Sequence, residues 1–188
     1  VKLTATCSPV FSGASTYLSA GNIALVSQSG ALGYGIYSLA NERGLSIGYV
    51  VTTGNEADVT ALEVAQSLSK ETKVSGLLIY AESLSNIELL NEVATNLPTA
   101  ILKSGRSLAG AKAAASHTGA LATEDRIIDA AIANAGAIRV DDVEELLDAG
   151  SIFSTELRMK GGNVAILTTS GGSGILGTDA IEKYGLKL

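Results

Sequence analysis

The sequence predicts an α/β fold in which a doubly wound, mainly parallel sheet lies between two layers of helices. Apolar runs rich in β-branched residues alternate with helical patterns along the chain, the signature of βαβ units. Polar residues scarcely interrupt those runs, as expected of strands that helices cover on both faces. A third observation extends the picture: GNIALVSQSG at 21–30 recurs as GNVAILTTSG at 162–171. Two copies so far apart do not make a solenoid. They read as the opening βα units of two successive domains of one kind.

In chain order, strands are expected at 22–27, 47–52, 76–80, 99–103 and 137–140. Helices are expected at 31–43, 59–69, 86–95, 122–134 and 142–153. Gly44 stands where a left-handed residue would close the first helix, and Asp58 is a candidate cap for the second. Ser85 with Glu88 and Asp141 with Glu144 have the spacing of capping boxes. Five strands with five helices make a flavodoxin-like domain, expected over 1–153. Residues 154–161, STELRMKG, read as a polar linker. Beyond it, 162–188 hold a strand at 163–168 and a helix from about Gly174 to Tyr184, the first βα unit of a second, truncated flavodoxin-like domain. The absence of an initiator methionine and the stop just after a helix lead to the expectation of a piece of a longer polypeptide. An orphan strand edge makes an oligomer swapped through this C-terminal unit an expectation as well.

Composition narrows the function. The chain has 188 residues, 46% of them hydrophobic and 17% charged, with a net charge of −6 and no basic block for a nucleic-acid backbone. Cys7 is the lone cysteine, so an intrachain disulfide is excluded and no CxxC metal spacing exists. No apolar run approaches the ~20 residues that span a bilayer, and no signal core opens the chain. A cytoplasmic location, no membrane partner, no nucleic-acid partner and no metal site of the chain's own are therefore expected.

The candidate chemistry lies at loops. Each copy of the repeated phrase places Ser-Gly where a strand gives way to a helix, and the unpaired amides of a helix start attract anions. Ser29, Gly30 and Ala31, and likewise Ser170, Gly171 and Gly172, are candidate phosphate-binding residues. The plainer reading makes the glycines tight-turn residues and the serines caps. The only histidine, His117, stands in a tract of small residues, KSGRSLAGAKAAASHTGAL at 103–121, flanked by Ser116 and Gly119. An imidazole can take up a phosphoryl group covalently, splitting a transfer into two easier steps. That chemistry needs an orienting acceptor, and Glu82, following the strand GLLIYA, is the candidate. Lys103, Gly105, Gly54 and Asn55 are candidate ligand contacts at the same rim, beyond the fourth and second strands, and Arg106 could add positive charge there. Lys103 and Arg106 read equally as ordinary solvated cations.

Together, VSQSGALG at 26–33, GNEADV at 54–59, Glu82, LKSGRS at 102–107, AAASHTGAL at 113–121 and RVDDVEELLDA at 139–149 resemble the NDP-forming acyl-CoA synthetases. The likeness is greatest to the ADP-forming acetyl-CoA synthetases and more distant to the succinyl-CoA synthetases. The resemblance runs from about residue 3 to the end and implies the succinyl-CoA-ligase-like flavodoxin subdomain followed by the start of the next one. It implies that His117 is the phosphorylated residue, that Glu82 orients it, and that the helices opening at Gly30 and Gly171 are the paired helices aimed at the phosphate. It also implies CoA, phosphate and ADP or ATP with magnesium as cofactors and substrates, most of them held by CoA-binding and ATP-grasp subdomains or subunits that serve as partners. Glu56 departs from the family's pattern, where lysine is more usual. Three alternatives stand beside this reading: a ligand-sensing pseudo-synthetase domain of a protein lysine acetyltransferase, an FMN-binding flavodoxin, and a purely structural or dimerising domain. His117 speaks against the first, and an aromatic content of 4% without tryptophan speaks against the second.

Overall fold

A computed structural model describes residues 4–6, 21–107, 109–110, 124–155 and 159–188. The chain divides into two compact units, Val1–Thr155 and Glu156–Leu188.

Unit 1 is an all-parallel sheet of β1 (Thr4–Thr6), β2 (Ile23–Ser27), β3 (Ile47–Thr52), β4 (Gly76–Ala81), β5 (Thr99–Lys103) and β6 (Ile138–Val140). Its strand order is β1-β3-β2-β4-β5-β6, so β2 to β6 follow the doubly wound order and β1 extends the edge beside β3. The helices are α1 (Gly30–Glu42), α2 (Ala61–Leu68), α3 (Leu90–Asn96, after a 3-10 turn at Ile87–Leu89), α4 (Asp125–Asn134) and α5 (Val143–Ser154).

Alternation along each strand separates two cores. Ile23, Leu25, Leu78, Tyr80, Ala100 and Leu102 face α1 and α5, where Ile36, Ala40, Leu146, Leu147 and Phe153 meet them. Ala24, Val26, Leu77, Ile79 and Ile101 face α2, α3 and α4 through Leu62, Ala65, Leu90, Val93, Ile128 and Ile132. Every residue of β2 and β4 is buried, which explains why these strands read as continuous apolar runs. The expected flavodoxin-like, three-layer α/β/α architecture is thus the observed one.

Helix ends depart from expectation in three places. Asp58 is exposed and caps nothing; Thr60 caps α2, its hydroxyl accepting from Glu63 N while Glu63 Oε2 accepts from Thr60 N at 2.8 Å. Ser85 and Glu88 form no capping box, because Asn86, in the left-handed region at φ 55°, starts a 3-10 turn instead and α3 has no side-chain cap. At α5 the cap is Asp142 in place of Asp141: Asp142 accepts from Glu145 N at 2.9 Å, and Glu145 Oε2 accepts from the amide of Asp141, the residue before the cap, at 2.8 Å. The first and third share one cause. Adjacent acidic or hydroxyl residues all have cap chemistry, and the position where the backbone leaves the extended region decides which one acts. α4 begins at Asp125 rather than 122.

The repeat is reproduced atom for atom at its ends. α1 and α6 (Gly171–Lys183) each run 13 residues. Ser29 Oγ accepts from Leu32 N at 3.2 Å and Ser170 Oγ from Ser173 N at 3.4 Å. Both helices close on a left-handed glycine, Gly44 at φ 74° and Gly185 at φ 67°. At each, two bonds reach back into the last turn, Gly44 N to Asn41 O with Leu45 N to Ala40 O, and Gly185 N to Glu182 O with Leu186 N to Ile181 O. What differs is the strand. Within unit 2 the described residues 163–168 form no strand, and a parallel bridge joins Asn163 to Lys187. α6 likewise starts at Gly171, three residues before the expected Gly174.

Two stability predictions follow from these contacts. Thr60→Ala is expected to cost about 1 kcal/mol in denaturant unfolding while Asp58→Ala changes nothing. Bonds from the Thr60 backbone and hydroxyl hold the Glu63 carboxylate below its ordinary value of 4.5. Its share of the cap is therefore present above that value and lost as pH falls through its lowered pKa. A Cβ on Gly33 would lie 2.9 Å from Ser27 Cβ, whereas one on Gly174 would lie 3.4 Å from Thr168 Cγ2. Gly33→Ala should destabilise unit 1 by about 1–3 kcal/mol through overpacking. Gly174→Ala should be neutral or stabilising by up to about 1 kcal/mol through helix propensity, and separate unfolding measurements on the two variants check the contrast.

Candidate functional site

In an open parallel sheet, loops at the carboxyl ends of strands meet in a crevice where the winding direction reverses. Here that point lies between β2 and β4. The chain leaves β2 through Gln28 and Ser29 into α1, and it leaves β4 through Glu82 and Ser83.

The α1 start is built as an anion site would be. Ser29 Oγ takes the Leu32 amide and Ser29 O takes the Gly33 amide at 2.9 Å. Ser27 Oγ donates to Ser29 O at 2.7 Å, fixing the cap residue from behind. The helix supplies no acceptor for the first amides, those of Gly30 and Ala31. The Ser29 oxygen accepts as a cap, and the backbone amides, with the positive end of the helix dipole, are what this turn offers an anion beside the hydroxyl's own O–H. Ser170, Gly171 and Gly172 repeat the arrangement in unit 2, with Thr168 Oγ1 donating to Ser170 O at 3.2 Å. The cap reading of these serines is thus the observed one, and the first amides of each helix have no intrahelical acceptor.

Glu82 lies half-buried just beyond β4. Tyr80, two residues earlier and on the same face of the strand, sends its hydroxyl toward Glu82 Oε1 at 3.4 Å and Ser104 Oγ at 3.2 Å. Burial, with the Glu82 carboxylate nearby, pushes the Tyr80 hydroxyl above its ordinary value of 10 although its bond with Ser104 opposes this. The phenol stays protonated at neutral pH and serves as a donor.

Sequence reasoning passed over Gln28, which is 7% exposed. Its Oε1 accepts from Glu82 N at 2.5 Å and from Ser83 N at 2.9 Å, and its Nε2 donates to Ser83 O at 2.9 Å. Its own amide donates to Tyr80 O at 3.0 Å. One signal was available: a glutamine directly before an N-cap, at a depth where the preceding five residues are buried, must find partners for its amide.

The other candidates divide. Lys103 ends β5 half-buried and donates to Ser104 O. Burial, then the Arg139 guanidinium, lowers it below its ordinary value of 10.5 against the pull of Asp125 and Glu82. Gly105 takes φ 77° and turns the chain after it. Arg106 pairs with Asp141 and, at 3.7 Å, with Asp125, so its charge is compensated at the surface. Gly54, at φ 63°, and Asn55 are exposed after β3. Glu56, the departure from the resembled pattern, adopts φ 54° and caps α2 from outside: its Oε1 accepts from Ala61 N at 2.7 Å and Thr53 Oγ1 at 3.1 Å. A cation could not take those two donors. His117, Ser116 and Gly119 lie outside the described residues. Among the described residues no helix is long and apolar enough to cross a membrane.

Comparison with known proteins places this geometry. The family model for the succinyl-CoA ligase like flavodoxin domain matches residues 20–153. A 4-hydroxybutyrate–CoA ligase (ADP-forming) of Nitrosopumilus maritimus is 38% identical over 174 residues, covering 89% of this chain and 25% of the relative. The alpha subunit of acetate–CoA ligase (ADP-forming) I of Pyrococcus furiosus is 37% identical, with 89% and 37% covered. This chain thus spans between a quarter and two-fifths of these relatives' lengths. Among solved structures, a dinucleotide forming acetyl-coenzyme A synthetase 1 of Ca. Korarchaeum cryptofilum, in complex with phosphate and ADP, superposes with a TM-score of 0.84 at 30% identity, over 92% of this chain and 38% of that one. On the match over 20–153, which covers most of the chain and all of β2 to β6, this protein belongs to the succinyl-CoA ligase like flavodoxin domain family.

Proposed function

We propose that this chain is the phosphoryl-transfer subdomain of an ADP-forming acyl-CoA synthetase, an acid-thiol ligase, with acetyl-CoA the first acyl-CoA to test. The observation that carries the reading is the pairing at the switch point of a carboxylate, Glu82, with a capped helix start whose first amides are free of intrahelical partners. Relatives named as ADP-forming ligases support it over a ligand-sensing role.

In the proposed sequence, phosphate attacks the acyl carbonyl of acyl-CoA and the thiolate of CoA leaves, giving acyl phosphate. One nitrogen of His117 then attacks phosphorus, the P–O bond to the acyl group breaks, and the carboxylic acid departs as its anion. Glu82 accepts the proton on the other ring nitrogen and so fixes which nitrogen is the nucleophile. The phosphohistidine carries close to two negative charges, which the amides of Gly30 and Ala31 at the α1 start offset by about 0.3–1 kcal/mol. ADP, delivered with Mg2+, takes the phosphoryl group and leaves the imidazole free. Ser170, Gly171 and Gly172 are proposed as a second anion-binding turn, Ser116 and Gly119 as neighbours of the phosphohistidine, and Lys103, Gly105, Gly54 and Asn55 as rim residues on the substrate side. Residues 162–188 are proposed as the opening of a second flavodoxin-like domain. CoA and nucleotide binding are assigned to partner subdomains or subunits.

The test uses the complete enzyme that carries this chain. Incubation with acetyl-CoA and labelled phosphate, or with labelled ATP, should give acid-labile, base-stable label at His117. His117→Ala should abolish the label, and Glu82→Gln should slow its formation at least 10-fold, within the usual range of an orienting or acid–base group. Label that survives His117→Ala refutes the assignment.

A further inference from the structure

Gln28 belongs to neither half of the proposed chemistry, yet its side chain spends all its hydrogen-bonding capacity on one short loop. An amide offers one acceptor oxygen and two N–H donors. The Gln28 oxygen accepts from both Glu82 N and Ser83 N, and the Gln28 nitrogen reaches Ser83 O at 2.9 Å and Ser83 Oγ at 3.3 Å. The residue is 7% exposed, so water does not compete for these bonds and their geometry is held firmly. Gln28 also directly precedes Ser29, the cap of α1. A single buried amide therefore ties the backbone bearing the Glu82 carboxylate to the residue next to the anion-binding turn.

We propose that Gln28 is a positioning residue for phosphoryl transfer, holding the Glu82 carboxylate in register with the α1 N-terminus. This rests on the reading of Glu82 as the group that orients His117. The Tyr80 hydroxyl steadies the carboxylate from below, and Gln28 fixes the main chain from which the carboxylate hangs. Without the clamp, the backbone amides of Glu82 and Ser83 would lose the acceptor that ties them to the residue before the α1 cap. A carboxylate displaced by about 1 Å costs on the order of 100-fold in a transfer that depends on alignment.

The experiment is a double-mutant cycle in the complete enzyme, reading the rate of label incorporation at His117 and the KM for acyl-CoA. Gln28→Met keeps the length of the side chain and removes all four bonds. It is expected to slow phosphorylation about 10–100-fold with KM within twofold of the parent. In a Glu82→Gln background, Gln28→Met should slow the reaction by less than a further twofold, because the group it positions is already gone. Equal slowing in both backgrounds, or no slowing in either, overturns the proposal while leaving the phosphohistidine reading intact. A parent enzyme without label at His117, or a Glu82→Gln variant at the parent rate, overturns both. Should Gln28→Met fail to fold, Gln28→Asn, which keeps the amide but falls one methylene short of the loop, enters the same cycle with the same criteria.

Discussion

Everything in unit 1 hangs on a parallel sheet whose central strands, β2 and β4, are dry on both faces. With β2 and β4 wholly buried, each backbone N–H and C=O in them must be paired within the sheet, since a lost partner in such surroundings costs about 1–3 kcal/mol. The register meets this demand: Ala24, Leu25, Val26 and Ser27 stand between Tyr49 to Thr52 on one side and Leu77 to Tyr80 on the other. The ladder ends at Ser27 and Tyr80. Beyond it the polar groups need other partners, and this is where Gln28 N finds Tyr80 O and Ser104 N finds Ala81 O. The proposed chemistry is assigned to this edge because it is the first place where the protein can carry unmet hydrogen-bonding capacity without burying it.

The same constraint explains why the site is shared among neighbours in space that are distant in sequence. α1 leaves toward one face and α3 toward the other, so the β2 and β4 loops diverge above adjacent strand ends. A buried polar side chain bridging them is both a structural necessity and a means of setting the distance between a carboxylate and a helix start. Gln28 does this without adding charge. A lysine or an arginine there would neutralise Glu82, and a carboxylate would repel it.

Much of this was legible in the sequence, and the reasons are local. Apolar runs of strand length bounded by glycines and polar residues placed β2 to β6 within a residue, because burial on both faces leaves little room for other patterns. Ser29 and Gly44 were legible because cap and left-handed residue are few-atom requirements. The start of α2 was not: Asp58 and Thr60 both carry a side-chain oxygen suited to an N-cap, and the positive φ of Glu56, which sets the entry of the chain, leaves no pattern in composition. Gln28, Tyr80 and Ser104 were missed for a different reason. Their partners lie 24 to 55 residues away, so the sequence could at most mark Gln28 as a buried amide in need of partners and could not name them.

The repeat separates these two kinds of information. Unit 2 preserves every local signal of the first copy: the serine cap, the hydroxyl behind it and the left-handed closing glycine. The helix forms accordingly, at the same length. The strand does not, although VAILT is as apolar as IALVS. A helix satisfies its own backbone, so its capping residues suffice to specify it, whereas a strand exists only through its neighbours. The copied phrase therefore carries its helix signals within itself, while its strand signal acts through the neighbours a strand pairs with.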